Sequence, residues 1–248
     1  MLGPAGASTD SKSSKSPARI AGMFDGIADR YDFLNHLLSA GIDRRWRRRA
    51  IRSLNLTGGE IVLDLCTGTG DLAIEALRGA AHARRVVGVD FAARMLRVGL
   101  GKLRSHRLGE RLELVRGDAT RVPVADGAVD AVTVAFGIRN VDDTRAACGE
   151  IHRVLKPGGR LAILEFAIPR QPFIRPLYLW YFQRVLPLIG RVVSHHEAAY
   201  EYLPASVGAF PTAEEFVTIL RQSAFDDISA VPLSFGIVFL YTARRRSS

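Results

Sequence analysis

A glycine-rich turn between a short apolar run and a helical pattern is the stretch of this sequence best suited to chemistry. The run at 61–65 ends just before Gly68 and Gly70, whose lack of a Cβ lets the backbone turn sharply and come close to a ligand. The helix that follows directs its free N–H groups toward the same place. Asp90 ends a second apolar run, where an acid can accept hydrogen bonds from both hydroxyls of a ribose. The spacing therefore predicts a site for a nucleoside cofactor.

Three features favour S-adenosylmethionine (SAM) over a dinucleotide, although the glycine pattern alone fits both. Asp64 lies inside the first apolar run, where it can meet an amino or cationic group; alternatively, it anchors the turn by accepting from backbone N–H groups. Asp118 and Ala119 follow the third predicted strand, at a place suited to an adenine amine. The chain also closes with two adjacent strands, near 227–232 and 236–242, and not with a second mononucleotide-binding half. SAM is therefore the expected cofactor.

The elements that must position these residues alternate regularly along the chain. Strands are predicted near 61–65, 86–90, 111–116, 129–135 and 160–166, and helices near 71–79, 92–105 and 143–155. Strands separated by helices of this length predict a doubly wound α/β fold with a mostly parallel sheet. A further helix is predicted from Thr212 to about residue 223, and the two closing strands form an antiparallel hairpin. The Lys-Pro-Gly-Gly sequence at 156–159 predicts a turn between a helix and the fifth strand.

The segments outside this alternation divide the chain into a tail, a cover and a domain. Residues 1–19 are rich in Ser, Gly and Ala and predict a disordered tail, and 244–248 form a basic tail. Residues 20–57 carry two amphipathic helical patterns that can cover the cofactor cleft, and 58–243 form the α/β domain. Within that domain, 169–210 is rich in large apolar and aromatic residues. We expect a helical insertion there that lines an apolar substrate cleft or lies on a membrane interface; core packing or a dimer interface is the alternative.

Charge and cysteine content limit the classes of protein. The chain has 248 residues and a formal net charge of +9, with arginines concentrated at 44–49 and 244–246. Such clusters suit nucleic acid, the anionic inner face of a membrane or simply a solvated helix face. The two cysteines have no paired spacing, which predicts a reducing, cytoplasmic location without a disulfide framework. We expect no signal peptide, because no apolar core follows a charged start at the N-terminus, and no membrane span, because no apolar run approaches about 18–20 residues.

The histidines give no metal site. His195 and His196 are adjacent, so their side chains point to different faces, and no third ligand has a matching spacing. His36 and His152 lie in helical patterns. The sequence therefore predicts no bound metal.

Several motifs, taken together and in this order, resemble the ubiquinone/menaquinone biosynthesis C-methyltransferase family over about residues 20–242. They are YDFLNH from Tyr31, GIDRRW from Gly41, VLDLCTGTGD from Val62, FGIRN from Phe136, RVLKPGG from Arg153, LEF from Leu164, YEYLPAS from Tyr200 and GIV from Gly236. One position departs from the family pattern, since Ala135 stands where a serine is frequent, so a hydroxyl contact there is lost or replaced by water. The resemblance implies a class I SAM-dependent methyltransferase with a seven-stranded, Rossmann-like sheet.

The same resemblance implies a reaction, the transfer of a methyl group from SAM to a ring carbon of a polyprenylated quinol. The substrate would be demethylmenaquinol, a demethoxy-type benzoquinol, or both. The family's cofactor contacts fall on Thr69 in the glycine turn, Asp90 at the ribose, and Asp118 and Ala119 at the adenine. Together with Asp64, Gly68 and Gly70, these residues form the expected cofactor site.

Three further residues are expected to act on the quinol. Arg139 stays protonated, so it would stabilise the developing phenolate or hold a water that takes the proton. Asn140 would fix the other hydroxyl, and Tyr31 would close over the site. The alternatives are that Arg139 and Asn140 only shape a strand-end turn and that Tyr31 only packs in the core.

A long isoprenoid tail implies a membrane partner. We expect the protein to associate transiently with the anionic inner face of the membrane through residues 44–49 and 173–182, and to bind no nucleic acid. The rival functions are a class I methyltransferase acting on RNA or a soluble small molecule, a non-catalytic protein that keeps the cofactor fold and, more remotely, a nicotinamide oxidoreductase. The sequence leaves open the ring type, the tail length, the general base and whether residues 169–210 form a homodimer interface.

Overall fold

The computed structural model describes residues 17–39, 41–78, 82–185 and 197–247. The helices, numbered over these ranges, are α1 Pro17–Leu38, α2 Asp43–Ser53, α3 Asp71–Ala76, α4 Ala93–His106, α5 Thr144–Val154, α6 Ile174–Trp180, α7 Glu197–Ala209 and α8 Ala213–Gln222. The strands are β1 Ile61–Leu65, β2 Arg85–Asp90, β3 Leu112–Arg116, β4 Val129–Ala135, β5 Leu155–Phe166, β6 Phe225–Leu233 and β7 Val238–Arg245. The tail expected at 1–16 and the histidine pair at 195–196 lie outside the described residues.

The strands form one seven-stranded sheet in the order β3-β2-β1-β4-β5-β7-β6. The first five strands run parallel, and β7 runs antiparallel to both of its neighbours, β5 and β6. The mostly parallel sheet with a closing antiparallel hairpin is therefore confirmed. Because the carboxyl ends of β1, β2 and β4 meet at one edge, the glycine turn, Asp90 and the turn after β4 lie together there.

Helices cover both faces of the sheet because its central strands are apolar on both sides. Nine of the twelve residues of β1 and β4 are buried, and the other three are half-buried. On one face the core includes Ile151 of α5 and Phe216 of α8. On the other face it includes Trp46 of α2 and Leu72 of α3. The edge that carries the glycine turn is thus fixed by packing from both sides.

The two N-terminal helices lie over this edge. α1 packs on α4, with Ala28 and Met95 buried between them and Phe24 and Tyr31 alongside. The Arg94 backbone N–H donates to Asp25 Oδ1 at 2.8 Å, which ties the start of α4 to α1. α1 begins at Pro17, so residues 17–19, which we assigned to the tail, are helical instead.

The start of β5 differs most from the sequence-based expectations. β5 begins at Leu155, and its pairing with β4 passes from Val129↔Leu155 directly to Ala131↔Arg160, so residues 156–159 bulge from a strand and do not precede it. Gly158 adopts φ +74°, which a glycine tolerates without strain. The Lys-Pro-Gly-Gly sequence therefore bends β5.

The basic tail expected from residue 244 is wrong for its first two members, because β7 continues through Arg245. The Arg245 guanidinium donates to the carbonyl oxygens of His152 and Arg153, each at 3.0 Å, and to that of Leu155. These bonds join the end of β7 to the end of α5, which explains why the strand extends so far.

The described part of the 169–210 insertion is mainly helical. α6, the π-helical turn Tyr181–Val185 and α7 pack together through Tyr178, Phe182 and Val207, against Phe166 of β5. Residues 186–196 of the insertion lie outside the described ranges. Over the residues that the structure describes, no helix is long and apolar enough to cross a membrane.

Candidate functional site

Two cavities adjoin at the carboxyl edge of the sheet. The acidic cavity, of about 400 Å³, is lined by the glycine turn and four acids: Asp90, Asp118, Asp142 and Asp143. The apolar cavity, of about 500 Å³, lies between α1, α2, α6 and α7 and is lined mainly by aromatic and aliphatic side chains. Tyr31, Phe24 and Phe136 line both cavities. The arrangement can hold a polar molecule and an apolar molecule next to each other.

Asp90 ties the glycine turn to the end of β2. The backbone N–H of Gly68 donates to Asp90 Oδ2 at 2.8 Å, and that of Ala92 donates to Oδ1 at 2.9 Å. Gly68 and Gly70 have φ of +57° and +84°, a conformation that strains residues with a Cβ. Burial raises the pKa of Asp90, while the two N–H donors oppose that rise. The turn and the acid are thus held in one fixed geometry.

Four of the predicted cofactor residues come together in the acidic cavity: Gly68, Asp90, Asp118 and Ala119 all line it. Asp118 Oδ1 accepts from the backbone N–H and the hydroxyl of Thr120, both at 2.8 Å, which fixes the carboxylate after β3. Acceptors at the ends of β2 and β3 on either side of a cleft fit the ribose and base of a nucleoside. The residues present therefore fit the adenosine part of SAM.

Asp64 lies just outside this cavity, in a small cleft beside the glycine turn. Its two oxygens accept from the hydroxyls of Thr67 and Thr133, both at 2.6 Å. Burial raises the pKa of Asp64 to about 6. Asp64 thus anchors the turn, and it does so mainly by accepting hydrogen bonds from threonine hydroxyls and less from backbone N–H groups.

The hydroxyl of Thr69 faces away from the acidic cavity. It donates to Asp32 Oδ1 of α1 at 2.5 Å and accepts from Lys102 Nζ of α4 at 2.9 Å. Thr69 lines only the small cleft, and Gly70 lines none of the three spaces described here. Among the predicted cofactor residues, Thr69 connects the turn to α1 and Gly70 shapes it.

Arg139 is buried in an ion pair that the sequence analysis did not identify. It lies in the 3-10 turn Ile138–Asn140 after β4, is 5% exposed, and contacts the fully buried Glu165 of β5 at 2.7 Å. The backbone N–H of Arg139 also donates to Glu165, at 3.1 Å, and its Nε donates to Ser206 Oγ of α7 at 3.3 Å. The guanidinium lines the apolar cavity, which therefore contains a fixed positive charge.

Asn140 lines the acidic cavity, whereas its neighbour Arg139 lines the apolar cavity, so adjacent residues of one short turn border the two cavities. Its Nδ2 lies 3.5 Å from the Phe136 carbonyl oxygen, to which Arg139 also donates. Its Oδ1 is buried and has no hydrogen-bond partner among the described residues. Tyr31 lies between the two cavities, with its ring edge-on to Phe24 at 6.0 Å. The three predicted catalytic residues thus surround the boundary between the cavities.

Aromatic residues missed by the sequence analysis form that boundary. Phe136 stacks on Phe166 at 4.5 Å, and Trp46 packs edge-on against both rings. Phe136 adopts φ +59°, a strained conformation for a residue with a Cβ that is frequent at functional sites. Two features of the sequence could have indicated this region: the acid Glu165 within the apolar run of β5, and Phe136 between β4 and Gly137.

One residue of the arginine cluster is not a surface residue. Arg47 is buried, pairs with Asp43 one turn earlier and lies 3.7 Å from Asp71. It lines the apolar cavity and the small cleft. Including Arg47 in a docking surface at 44–49 was therefore wrong; Arg44, Arg45, Arg48 and Arg49 are exposed.

Comparisons with known proteins identify the family of this chain. The model of the ubiE/COQ5 methyltransferase family matches residues 9–245. The chain is 44% identical to the ubiquinone/menaquinone biosynthesis C-methyltransferase UbiE of Geobacter sulfurreducens over 92% of this chain and 88% of that one. It is 38% identical to the demethylmenaquinone methyltransferase of Lactiplantibacillus plantarum over 88% of this chain and 92% of that one.

A solved SAM-dependent methyltransferase of Thermotoga maritima shares the fold, with a TM-score of 0.64 at 18% identity over 92% of this chain and all of that one. The sequence matches span the glycine turn, the turn after β4 and the insertion. The expected fold class and family are both confirmed. The chain belongs to the ubiE/COQ5 methyltransferase family.

Proposed function

We propose that this protein transfers a methyl group from SAM to a ring carbon of a polyprenylated quinol. The observation that carries the proposal is the buried Arg139 guanidinium in a mainly apolar cavity, directly beside the acidic cavity that fits adenosine. An aromatic alcohol that becomes anionic needs both an apolar space for its ring and a cation for its oxygen. The two relatives described above, whose names state quinone C-methylation, support the same reaction.

Making the ring carbon nucleophilic is the main task of the protein. SAM, when bound, supplies an electrophilic methyl group. Ionisation of a quinol hydroxyl raises the electron density on the adjacent carbon, and a phenol with a pKa of about 10 needs help near pH 7. Arg139 cannot accept the proton, so its role is to stabilise the phenolate charge in a site of low polarity. Glu165 fixes the guanidinium from the opposite side through its 2.7 Å contact.

Asn140 and the aromatic residues orient the ring. The free Oδ1 of Asn140 can accept from the second quinol hydroxyl at the edge of the acidic cavity. Phe136 and Phe166 give the ring flat apolar surfaces in the other cavity. Holding both ends of the quinol limits its rotation and keeps one carbon facing the methyl donor.

The isoprenoid tail would leave through the mouth of the apolar cavity. Leu177 and Trp180 line this cavity, yet their exposed fractions are 62% and 57%, and Phe173 nearby is 89% exposed. Arg44 and Arg45 are exposed at the start of α2, beside Ile42 of the same cavity. Within the described ranges these two arginines form no ion pair. We propose that this face docks on the anionic inner surface of the membrane, which is where the tail lies.

The experiment supplies purified protein with labelled SAM and either reduced demethylmenaquinol or a reduced demethoxy-type benzoquinol. We expect a carbon-bound methyl group in one or both products, and the products identify the ring that is used. Arg139→Met should abolish transfer while SAM binding, measured by calorimetry, persists. If SAM binds but neither quinol is methylated, whereas RNA or a soluble phenol is, the proposed substrate class is wrong.

A further inference from the structure

Three buried polar atoms near Arg139 have no hydrogen-bond partner among the described residues: Tyr178 Oη, Tyr202 Oη and Asn140 Oδ1. A fourth buried atom, His36 Nδ1, lies 2.8 Å from the Asp43 carboxylate and so has a charged neighbour. Leaving a buried hydroxyl or amide oxygen unpaired costs about 1–3 kcal/mol. Both tyrosines line the apolar cavity, and Asn140 lines the acidic cavity beside it. Their clustering indicates that a ligand completes these hydrogen bonds.

The two tyrosines come from the insertion, which brings them to Arg139 from two different helices. Tyr178 belongs to α6 and Tyr202 to α7. Ser206 lies one turn beyond Tyr202 on α7, and its hydroxyl accepts from Arg139 Nε at 3.3 Å. The face of α7 that carries Tyr202 is therefore the face that contacts the guanidinium.

Both phenols are within electrostatic reach of the buried ion pair. Burial raises the pKa of Tyr178 and of Tyr202, Arg139 lowers both, and Glu165 raises both. The two side chains consequently stay protonated at physiological pH, and each hydroxyl can donate a hydrogen bond. A neutral donor in an apolar wall suits a ligand oxygen that carries or develops negative charge.

We propose that Tyr178 and Tyr202 donate hydrogen bonds to the quinol oxygen that ionises beside Arg139, and so form a two-hydroxyl phenolate-binding site. This inference rests on the proposed function and names the groups that bind the reacting end of the substrate. Arg139 supplies the positive charge. Its guanidinium is already hydrogen-bonded to Glu165 and Ser206, so the two tyrosine hydroxyls supply additional directed hydrogen bonds to the phenolate oxygen. Asn140 binds the opposite ring oxygen, so the four side chains define both ends of the quinol.

Phenylalanine substitutions separate this role from a structural one. Tyr178→Phe and Tyr202→Phe each remove one hydroxyl that has no hydrogen-bond partner among the described residues, so the melting temperature should stay level or rise. We expect each variant to lower kcat on reduced demethylmenaquinol about 10-fold and the double variant about 100-fold, since each lost bond is worth about 1.4 kcal/mol in the transition state. The pH at which kcat reaches half its maximum should also move upward, because the bound quinol ionises less readily without these donors.

The control is Tyr241→Phe. Tyr241 is a buried tyrosine of β7 that packs against Phe216 and lines neither cavity, so its variant should keep the wild-type kcat and pH profile. A double variant with wild-type kcat and an unshifted profile would overturn the inference while leaving the proposed function intact.

Substrate binding gives a second readout that does not depend on turnover. The chain's two tryptophans, Trp46 and Trp180, both line the apolar cavity, so a short-chain demethylmenaquinone should quench their fluorescence when it binds. If the wild-type protein binds this quinone but methylates no quinol, the proposed function fails. The inference is then supported by weaker quinone binding in the double variant and overturned by unchanged binding.

Discussion

At the scale of single residues, the site depends on charged side chains that are buried away from water and paired with an opposite charge. Arg139 and Glu165 are 5% and 0% exposed, and Glu165 also accepts from the backbone N–H groups of Arg139 and Phe166. Removing one member of a buried pair leaves an uncompensated charge, which is far more damaging than the net worth of the pair. The pair therefore makes the fold and the proposed chemistry depend on the same contact.

We predict that Glu165→Gln lowers the free energy of unfolding by about 3–5 kcal/mol, because Arg139 keeps its charge without a partner. The double variant Arg139→Met/Glu165→Gln should recover most of that loss, although it should be inactive. Urea denaturation measures both. Glu113→Gln is the control, since it breaks the exposed Arg85–Glu113 pair and should cost less than about 1 kcal/mol. Equal losses in the buried and exposed variants would contradict the argument.

Asp64 gives a prediction about pH. Its native pKa of about 6 lies above the unfolded value of about 3.9, so the folded state binds more protons between these values. The charged carboxylate therefore costs stability above pH 6, about 3 kcal/mol at pH 7, and this cost shrinks as the pH falls. We expect wild-type protein to gain about 1 kcal/mol relative to Asp64→Asn between pH 7 and pH 5, measured by urea denaturation. A difference that does not change with pH would show that Asp64 is not protonated in this range.

At the scale of elements, Lys102 joins α1 to the cofactor side of the molecule, in addition to the contacts of Arg94 with Asp25 and Asp29. Lys102 of α4 pairs with Asp32 of α1 and, at 2.6 Å, with Asp71 of α3, and it donates to Thr69 in the glycine turn. Phe24 and Tyr31 of the same helix line the acidic cavity. α1 therefore forms part of the wall of that cavity.

We predict that Lys102→Met loosens α1 without unfolding the sheet. Hydrogen exchange in α1 should become about 10-fold faster, as expected for the loss of one charge-assisted contact, while exchange in β1 and β4 stays unchanged. SAM should also dissociate faster in a stopped-flow measurement. Lys156→Met is a matched control, since it breaks a single lysine–aspartate pair, with Asp130, outside both cavities. Faster exchange in both variants, or in neither, would contradict a specific attachment of α1.

The elements also show what a sequence can and cannot predict. Local patterns predict the glycine turn, Asp90 and the residues after β3. The carboxyl ends of parallel strands lie at one edge of the sheet, so the residues that follow them come together there whatever their side chains are. Tyr178 and Tyr202 could not be found this way. Arg139 and Ser206 meet across 67 residues of sequence, and nothing in the local pattern of α7 reveals which face contacts the turn after β4. The burial of Arg47 likewise depends on how α2 packs, so the run of arginines did not indicate which of its members is buried.

At the scale of the whole molecule, basic and apolar groups are exposed on the same side. Arg44, Arg45 and Arg49 are exposed on α2, and Leu177 and Trp180 are exposed at the mouth of the apolar cavity. Each arginine near an anionic surface contributes about 1 kcal/mol to binding, and the contribution weakens with salt. The apolar side chains contribute a part that salt does not weaken. Two components with different salt responses can be separated by experiment.

We predict that replacing Arg44, Arg45 and Arg49 with serine weakens binding to vesicles containing anionic phosphatidylglycerol by about 100-fold at low salt, and by much less at high salt. Replacing Leu177 and Trp180 with serine should weaken binding by a similar factor at both salt concentrations. The control replaces Arg84, Arg104 and Arg107, which are exposed near the opposite edge of the sheet, so that the same net charge is lost. Co-sedimentation with vesicles measures all three proteins. If the control weakens binding as much as the α2 variant does, net charge and not a defined face attracts the protein, and the apolar cavity must receive its substrate without an oriented encounter with the membrane.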